Sequence, residues 1–145
     1  MKEPRIEQVD GVDRAADLKK INAAFPEHFL PLKDRHLRDG FWWIASIGSD
    51  AVGFAGNVPF IPFPRAGYFK RVGVLDSYRL SGLSKQLTAM CVNHARQQTD
   101  WTHLISECSD DNFASANNLM RAGFKLCEAE RPWAKKTLFW TMKLK

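Results

Sequence analysis

Residues 71–85 decide the fold class, and they read Arg-Val-Gly-Val-Leu-Asp-Ser-Tyr-Arg-Leu-Ser-Gly-Leu-Ser-Lys. The beginning of this stretch predicts a strand, and the small residues after it predict a loop that runs directly into a helix. The first N–H groups of a helix have no intrahelical acceptor, and the helix dipole makes that end positive. Because a loop of small residues lets a phosphate approach those N–H groups, the stretch predicts an anion site flanked by Arg79 and Lys85.

The same stretch also has a purely structural interpretation. In that interpretation Gly82 only turns the chain, and Ser84 only caps the helix that follows. The spacing fits neither a P-loop, which needs Gly-Lys followed by Ser or Thr, nor the dinucleotide fingerprint. The residues by themselves leave both interpretations open.

Hydrophobic periodicity predicts the elements on either side of this stretch. We expect strands over 5–9, 41–47, 51–56, 68–75, 104–108, 124–129 and 137–144. We expect helices over 15–25, 32–38, 82–98 and 112–121. The two strands joined by the turn at 48–50 form a hairpin, and helices alternate with strands in the second half of the chain. The order predicts an α+β (mixed α/β) fold, with a central, mostly antiparallel twisted sheet flanked by helices.

The composition is that of an ordinary folded chain. Its 145 residues suit one domain, and 45% hydrophobic with 26% charged residues argues against disorder. No apolar run is long enough for a transmembrane helix, and residues 1–6 lack the apolar stretch of a signal peptide. Cys91, Cys108 and Cys127 are far apart, which favours neither disulfides nor a zinc site. We therefore expect a cytoplasmic protein with no membrane partner and no metal.

The charge balance points to an anionic partner without naming it. The chain has 21 Lys and Arg against 16 Asp and Glu, a formal net charge of +5. Such an excess suits nucleic acid, a membrane surface or a phosphorylated ligand. The basic residues are dispersed and no nucleic-acid-binding motif is present, so we expect no nucleic acid partner.

Two motifs resemble those of the GNAT N-acetyltransferase superfamily. The pattern Arg79-x-x-Gly82-x-Ser84, after the strand residues 72–74, resembles the acyl-CoA pyrophosphate loop of that superfamily. The family pattern is Gln or Arg, two residues, Gly, one residue, then Gly or Ala. The stretch 112–124 resembles the family's later strand–helix element, since it starts with Asn and ends in Gly-Phe at the same interval. The order of elements also agrees over nearly the whole chain.

The resemblance implies a function and a site. It implies a single GNAT-like acetyltransferase domain over 1–145, which uses acetyl-CoA as the acyl donor and transfers an acetyl group to a primary amine of a small molecule or protein by direct attack. It also implies that backbone N–H groups of residues 72–74 stabilise the carbonyl oxygen. The implied cofactor-binding residues are Val72, Gly73, Val74, Arg79, Leu80, Ser81, Gly82, Leu83, Ser84, Lys85 and Asn112. Gly73 suits a bulge or a close backbone approach, but it suits a packing glycine equally well.

The sequence departs from the family pattern at two positions. Ser84 stands where the loop ends in Gly or Ala, and serine is small enough to keep the backbone accessible. Leu119 stands seven residues after Asn112, where many family members have a tyrosine that protonates the departing thiolate. Leucine cannot donate a proton, so that role is vacant or belongs to another group such as water. The departure supports an alternative function, a catalytically weak acyl-CoA-binding sensor or interaction domain.

The candidates for proton transfer are Glu107 and Tyr68. Glu107 is the carboxylate inside the predicted strand 104–108, on the face opposite Cys108, but an ion pair with a neighbouring cation explains it equally well. Tyr68 could replace the missing acid, although a buried structural tyrosine is the commoner case. Lys70 and Arg71 would suit an anionic acceptor better than they would deprotonate an amine.

Other residues have weaker claims to a functional role. Asp110 and Asp111 precede a helix and suit N-capping better than base catalysis. The loop 60–64, with its prolines and phenylalanines, is the best candidate for acceptor contact. Aromatic residues that could line the acceptor side or form the core are Trp42, Trp43, Phe60, Phe63 and Trp133. The C-terminal strands could pair across a two-fold axis, which leaves a homodimer open.

Overall fold

The structure is a computed structural model that describes residues 3–128 and 136–145. The strands are β1 (Arg5–Val9), β2 (Phe41–Ile47), β3 (Asp50–Pro59), β4 (Ala66–Val74), β5 (His103–Ser109), β6 (Lys125–Cys127) and β7 (Thr137–Lys143). The helices are α1 (Ala15–Asn22), α2 (Asp34–Asp39), α3 (Leu83–Gln98) and α4 (Phe113–Ala122), with a 3-10 helix over Asp76–Ser81. Ala129 and Trp133, which figured in the sequence predictions, lie outside the described residues.

The strands form one seven-stranded sheet in the order β1-β2-β3-β4-β5-β7-β6. All neighbouring pairs described are antiparallel except β4 and β5, which are parallel. Helices pack on both faces, so the predicted α+β fold with a mostly antiparallel sheet is confirmed. Among the described helices, none is long and apolar enough to cross a membrane.

The β4–β5 pairing is short and divides the sheet. It runs only from Ala66 opposite His103 to Tyr68 opposite Ile105, and the Ser106 hydroxyl donates to the Phe69 carbonyl at 3.0 Å just beyond it. β4 continues along β3 as far as Val74, while β5 continues along β7 to its end. The two strands therefore diverge after this point and leave a gap in the sheet.

Each face of the sheet has its own hydrophobic core. On one face α3 buries Leu87, Cys91 and Ala95 against the strands. On the other face α1 and the chain after it bury Leu18 and Phe25 among the aromatic residues of β2 and β3. These two faces are called the α3 face and the α1 face below. Trp42 and Trp43 belong one to each core and are almost fully buried, which excludes both from contact with an acceptor.

A β-bulge lies in the middle of β4. Gly56 of β3 pairs with Arg71 and Asn57 pairs with Phe69, so Lys70 is the extra residue. The bulge reverses the alternation of side chains, because Phe69 packs in the core of the α3 face whereas the Arg71 guanidinium lies over the Phe29 ring on the α1 face. After the bulge, Arg71 and Gly73 therefore share the α1 face.

Gly73 is not part of the bulge. A Cβ added there would lie 2.8 Å from the Phe25 ring and 2.9 Å from the Phe54 ring. Of the two interpretations open from the sequence, the structure therefore supports a glycine required by close aromatic packing.

Several local predictions about helices are wrong. Helical periodicity over 112–121 predicts that Phe113, Ala116 and Met120 form the apolar stripe of α4, but Phe113 (73%) and Met120 (54%) are exposed, while Leu119 at 2% faces the core. A 3-10 helix replaces the predicted loop before Gly82. The N-cap of α4 is Asn112, whose Oδ1 accepts from the Ser115 N–H at 3.1 Å, and not Asp110 or Asp111. These differences arise because burial and capping depend on how each helix docks, which periodicity does not specify.

Candidate active site

A cleft of about 780 Å³ lies along the part of β4 that does not pair with β5. Its lining on the α1 face comes from Phe25, His28 and Phe29, and its lining on the α3 face comes from α3 and α4. The strand residues that line it are Val72, Gly73 and Val74 of β4. Because lining residues come from both faces, the cleft connects the two sides of the sheet along the open edge of β4.

Backbone donors of β4 point into this cleft. The Leu75 N–H donates to the Val52 carbonyl at 2.9 Å, so Leu75 faces β3. N–H groups alternate in direction along an antiparallel strand, and those of Val72 and Val74 therefore point away from β3, toward the gap. These two N–H groups are about 6.6 Å apart, at about 3.3 Å per residue, so one of them, but not both together, can bind a carbonyl oxygen that develops negative charge.

The N-terminus of α3 lines the cleft on the α3 face. Gly82 precedes the helix with a φ of 79°, and a Cβ added to it would meet no atom within 4 Å. The N–H groups of Leu83, Ser84 and Lys85 open the helix without intrahelical acceptors, and the first turn has no acidic residue. The region is accessible and has a positive dipole end, as an anion site requires.

Ser84 does not cap α3. The helix begins at Leu83, so Ser84 is its second residue, and Gly82 occupies the cap position without a side-chain hydrogen bond. The Ser84 carbonyl accepts from the Thr88 hydroxyl at 2.8 Å. The structural interpretation of Ser84 as a helix cap is therefore wrong.

Four cationic side chains line the cleft, namely Arg79, Lys85, Arg96 and Arg121, and its lining contains no Asp or Glu from the described residues. Arg79 also forms an exposed ion pair with Asp76 at 2.9 Å. Arg96 and Arg121 were missed from the sequence. A signal for Arg96 was present, because Lys85, Ala89, Asn93 and Arg96 recur at helical spacing on the side of α3 away from its core.

The structure brings most of the predicted cofactor-binding residues together. Those that line the cleft are Val72, Gly73, Val74, Arg79, Gly82, Ser84, Lys85 and Asn112. Ser81 and Leu83 do not line it. The Ser81 hydroxyl donates to the Tyr78 carbonyl, Leu83 is 1% exposed in the core, and Leu80 is described only as backbone of the 3-10 helix. A ligand-binding role for each of these residues stays a prediction.

The two predicted catalytic residues do not line the cleft. Tyr68 precedes the bulge on the α1 face, where its ring stacks on Phe60 with centroids 6.1 Å apart. Glu107 of β5 alternates with Cys108, which packs on the α3 face, so Glu107 also belongs to the α1 face. Their catalytic roles stay predictions.

Lys70 has an unusual electrostatic environment on this face. Its Nζ lies 5.8 Å from the centroid of the Tyr68 ring. Burial, reinforced by the nearby charges of Arg71, Lys33 and Arg35, lowers the pKa of Lys70 to about 8, and Glu107 acts in the opposite direction. The α1 face next to the cleft is therefore rich in positive charge.

Two further candidates have structural roles. Leu119 packs in the core of the α3 face, so this position supplies no proton donor. Burial raises the pKa of the Cys108 thiol, whose Sγ lies 3.2 Å from Trp140 Nε1. A thiol with a raised pKa is a poor nucleophile at neutral pH, in agreement with the interpretation of Cys108 as a hydrophobic strand residue.

The loop proposed for acceptor contact lies away from the cleft. Phe60 and Phe63 stack on each other with centroids 5.6 Å apart, and neither lines the cleft. Phe63 instead lines a second pocket of about 320 Å³ next to Thr102 and His103. No cluster of three or more potential metal ligands occurs within 3–128 and 136–145.

The sequence profile of the acetyltransferase (GNAT) family matches residues 13–124. Because this match covers most of the chain, the protein belongs to the GNAT family of acetyltransferases. The resemblance inferred from the two motifs is thus confirmed, and so, at the level of the family, are acyltransferase activity and the use of acetyl-CoA. No curated protein shows significant similarity to the chain.

Solved structures share the whole fold at low sequence identity. A GNAT-family protein from Desulfovibrio desulfuricans superposes with a TM-score of 0.80 at 16% identity, covering 99% of this chain and 100% of the other. A protein from Klebsiella pneumoniae grouped with the acyl-CoA N-acyltransferases gives 0.78 at 22% identity, covering 98% of both chains. YncA from Salmonella typhimurium, solved with its cofactor acetyl-CoA, gives 0.76 at 16% identity, covering 98% and 94%. Similarity at this level supports the fold.

Proposed function

We propose that the protein is an acetyl-CoA-dependent N-acetyltransferase that acetylates a primary amine of a small molecule or protein by direct attack. The observation that carries the proposal is the cleft itself. It joins a cationic helix N-terminus on the α3 face to two backbone donors on the open edge of β4. An acyl donor with a pyrophosphate at one end and a thioester at the other needs these two features in one cleft.

The residues present fit such a donor. The N–H groups at the start of α3, with Arg79 and Lys85, would hold the pyrophosphate, because they offer positive charge beside an open glycine. The N–H group of Val72 or of Val74 would donate to the thioester oxygen, and the other would remain for a second acceptor of the donor molecule. The bound acetyl-CoA supplies the thioester whose acetyl group is transferred.

The two proton transfers of the reaction need a base and an acid from this chain. We retain Glu107 as the candidate base and Tyr68 as the candidate acid, both on the α1 face. Because neither lines the cleft, each would act through an intervening water. Leu119 favours the second candidate function, an acyl-CoA-binding domain with weak catalysis, since no tyrosine is available there to protonate the thiolate.

Two measurements on the intact protein test the proposal. Acetyl-CoA should raise the melting temperature, because a ligand that binds only the folded state stabilises it by mass action. A panel of primary amines should then release free CoA thiol in the presence of acetyl-CoA. No thermal shift at millimolar acetyl-CoA would refute the binding site. A shift without thiol release from any amine would favour the weakly catalytic domain.

A further inference from the structure

A buried arginine on the α1 face has no acidic partner. Arg71 is 9% exposed, and its guanidinium Cζ lies 4.9 Å from the centroid of the Phe29 ring. Its Nε is buried without a hydrogen-bond partner, and it forms no ion pair with a carboxylate of the described residues. Burying a charge is costly unless it is paired, so Arg71 is a site where a partner is missing.

The charged groups around Arg71 are mostly cations. Lys70 is its chain neighbour, and Lys33 and Arg35 come from the start of α2. The same cations affect His36. Burial, together with the charges of Lys70, Arg35, Lys33 and Arg71, lowers the pKa of His36 to about 4. Most charged groups on this part of the α1 face are therefore positive, although Glu107 acts in the opposite direction on Lys70 and Tyr68 does so on Arg71, and an anion arriving from outside would be attracted.

Arg71 does not line the cleft itself, but it lies against Phe29 and close to Gly73, which do. Phe29, whose ring lies under the Arg71 guanidinium, lines the cleft. Gly73, the next residue of β4 on the same face, lines it too. The donors of Val72 and Val74 lie on the same short segment of β4, so a group bound by Arg71 would be held close to the proposed transfer point.

We propose that Arg71 binds a carboxylate of the acceptor, so that the substrates are amines that carry a carboxylate, as amino acids do. The inference rests on the proposed function and specifies its substrate class. A planar guanidinium forms two parallel hydrogen bonds to a carboxylate. A phosphate dianion would also suit arginine, but its desolvation costs more in a place where the arginine is nine-tenths buried.

The test compares amino acids with their primary amides. Each pair, such as alanine with alaninamide and lysine with lysinamide, differs only at the carboxylate. Initial rates of CoA thiol release give kcat/KM, which is normalised to the unprotonated amine because amides have less basic amino groups. We expect the wild-type protein to prefer the free acids by about 10- to 100-fold, as charge-assisted hydrogen bonds to arginine predict.

Variants assign this preference to Arg71. Arg71→Gln should reduce the acid-to-amide ratio to about one, and Arg71→Lys should retain part of it because the charge remains. Arg5→Gln is the matched control, since Arg5 is an exposed arginine of β1, at the far edge of the sheet, and it should leave the ratio unchanged. The thermal shift with acetyl-CoA should persist in every variant, which verifies folding and donor binding.

The outcomes separate this inference from the proposed function. Equal use of acids and amides by the wild-type protein would overturn the carboxylate site and leave acetyl transfer intact. Better use of phosphoethanolamine than of the amino acids would also overturn it. If no amine is acetylated, the proposed function fails, and the inference is then tested by whether amino acids, but not their amides, raise the melting temperature of the protein with CoA. An unchanged ratio in Arg71→Gln would assign the preference elsewhere and refute the role of Arg71.

Discussion

Gly82 offers the sharpest test of the phosphate site. Its φ of 79° lies in the left-handed region, and the space over its Cα is empty. Asn and Asp are the residues besides glycine that adopt this region most readily, at a cost of about 1 kcal/mol. Gly82→Asn and Gly82→Asp should therefore perturb the backbone equally and differ by one negative charge at the start of α3.

The added charge should weaken acetyl-CoA binding strongly. Two unit charges about 4 Å apart repel by about 1 kcal/mol in water and about 4 kcal/mol at the effective dielectric near a protein surface. With an intermediate value near 2.7 kcal/mol, Gly82→Asp should bind acetyl-CoA about 100-fold more weakly than Gly82→Asn. At a ligand concentration 100 times the Kd of Gly82→Asn, stabilisation should fall from about 2.7 to about 0.4 kcal/mol. The thermal shift would then fall from about 5–10 °C to about 1 °C.

Gly48 provides the matched control. It has a φ of 61°, a Cβ added to it would meet no atom within 4 Å, and it lies in the β2–β3 turn, away from the lining of the cleft. Gly48→Asn and Gly48→Asp should reproduce the backbone cost in thermal melts without ligand and keep the full acetyl-CoA shift. Equal ligand shifts for Gly82→Asn and Gly82→Asp would refute the reasoning, because they would show that no anion binds near this position.

Three further predictions concern stability, each measured by urea unfolding. The folded pKa of His36, about 4, lies below that of the unfolded chain, so the unfolded state gains the proton first as the pH falls. The unfolding free energy should therefore drop by about 2 kcal/mol between about pH 6.5 and 4, after discounting for the partial exposure of His36. His36→Gln should abolish this pH-dependent drop, and an equal drop in the variant would contradict the prediction. Gly67→Ala should cost about 3 kcal/mol, because its Cβ would lie 2.2 Å from the Trp101 ring, and a near-neutral result would show that the ring can move. Ser106→Ala should cost about 1–2 kcal/mol by removing the hydrogen bond to Phe69, whereas no loss would mean that this bond does not hold the strands.

The fold and the donor end of the cleft could be predicted from sequence because their signals are local. The strand–loop–helix at 71–85 carries its own glycine and flanking charges, and the helix expected over 112–121 ends at a glycine of the same stretch, Gly123, whose φ is 104°. The family pattern supplied the order of the remaining elements.

The acceptor end could not be predicted because its determinants are not local. Strict alternation along β4 would put Phe69 and Arg71 on one face, but the extra residue Lys70 reverses the alternation between them. The gap exists because β4–β5 pairing stops after Tyr68, which depends on two strands that are distant in the chain. The burial of Leu119 rather than Phe113 likewise depends on how α4 docks.

Because the β4–β5 pairing is short, the sheet consists of two blocks of strands that are joined only where β4 and β5 pair. Strands β1–β4 form one block and β5–β7 the other; three residue pairs join β4 to β5, and the Ser106 hydroxyl adds a hydrogen bond to the Phe69 carbonyl. A ligand lying along the open edge of β4 would take the place of the strand that is missing there, accepting the hydrogen bonds that Val72 and Val74 do not make to β5. The bound acyl donor would thus also connect the two blocks of the sheet. Before it binds and after CoA leaves, β4 and β5 would be paired only at one end.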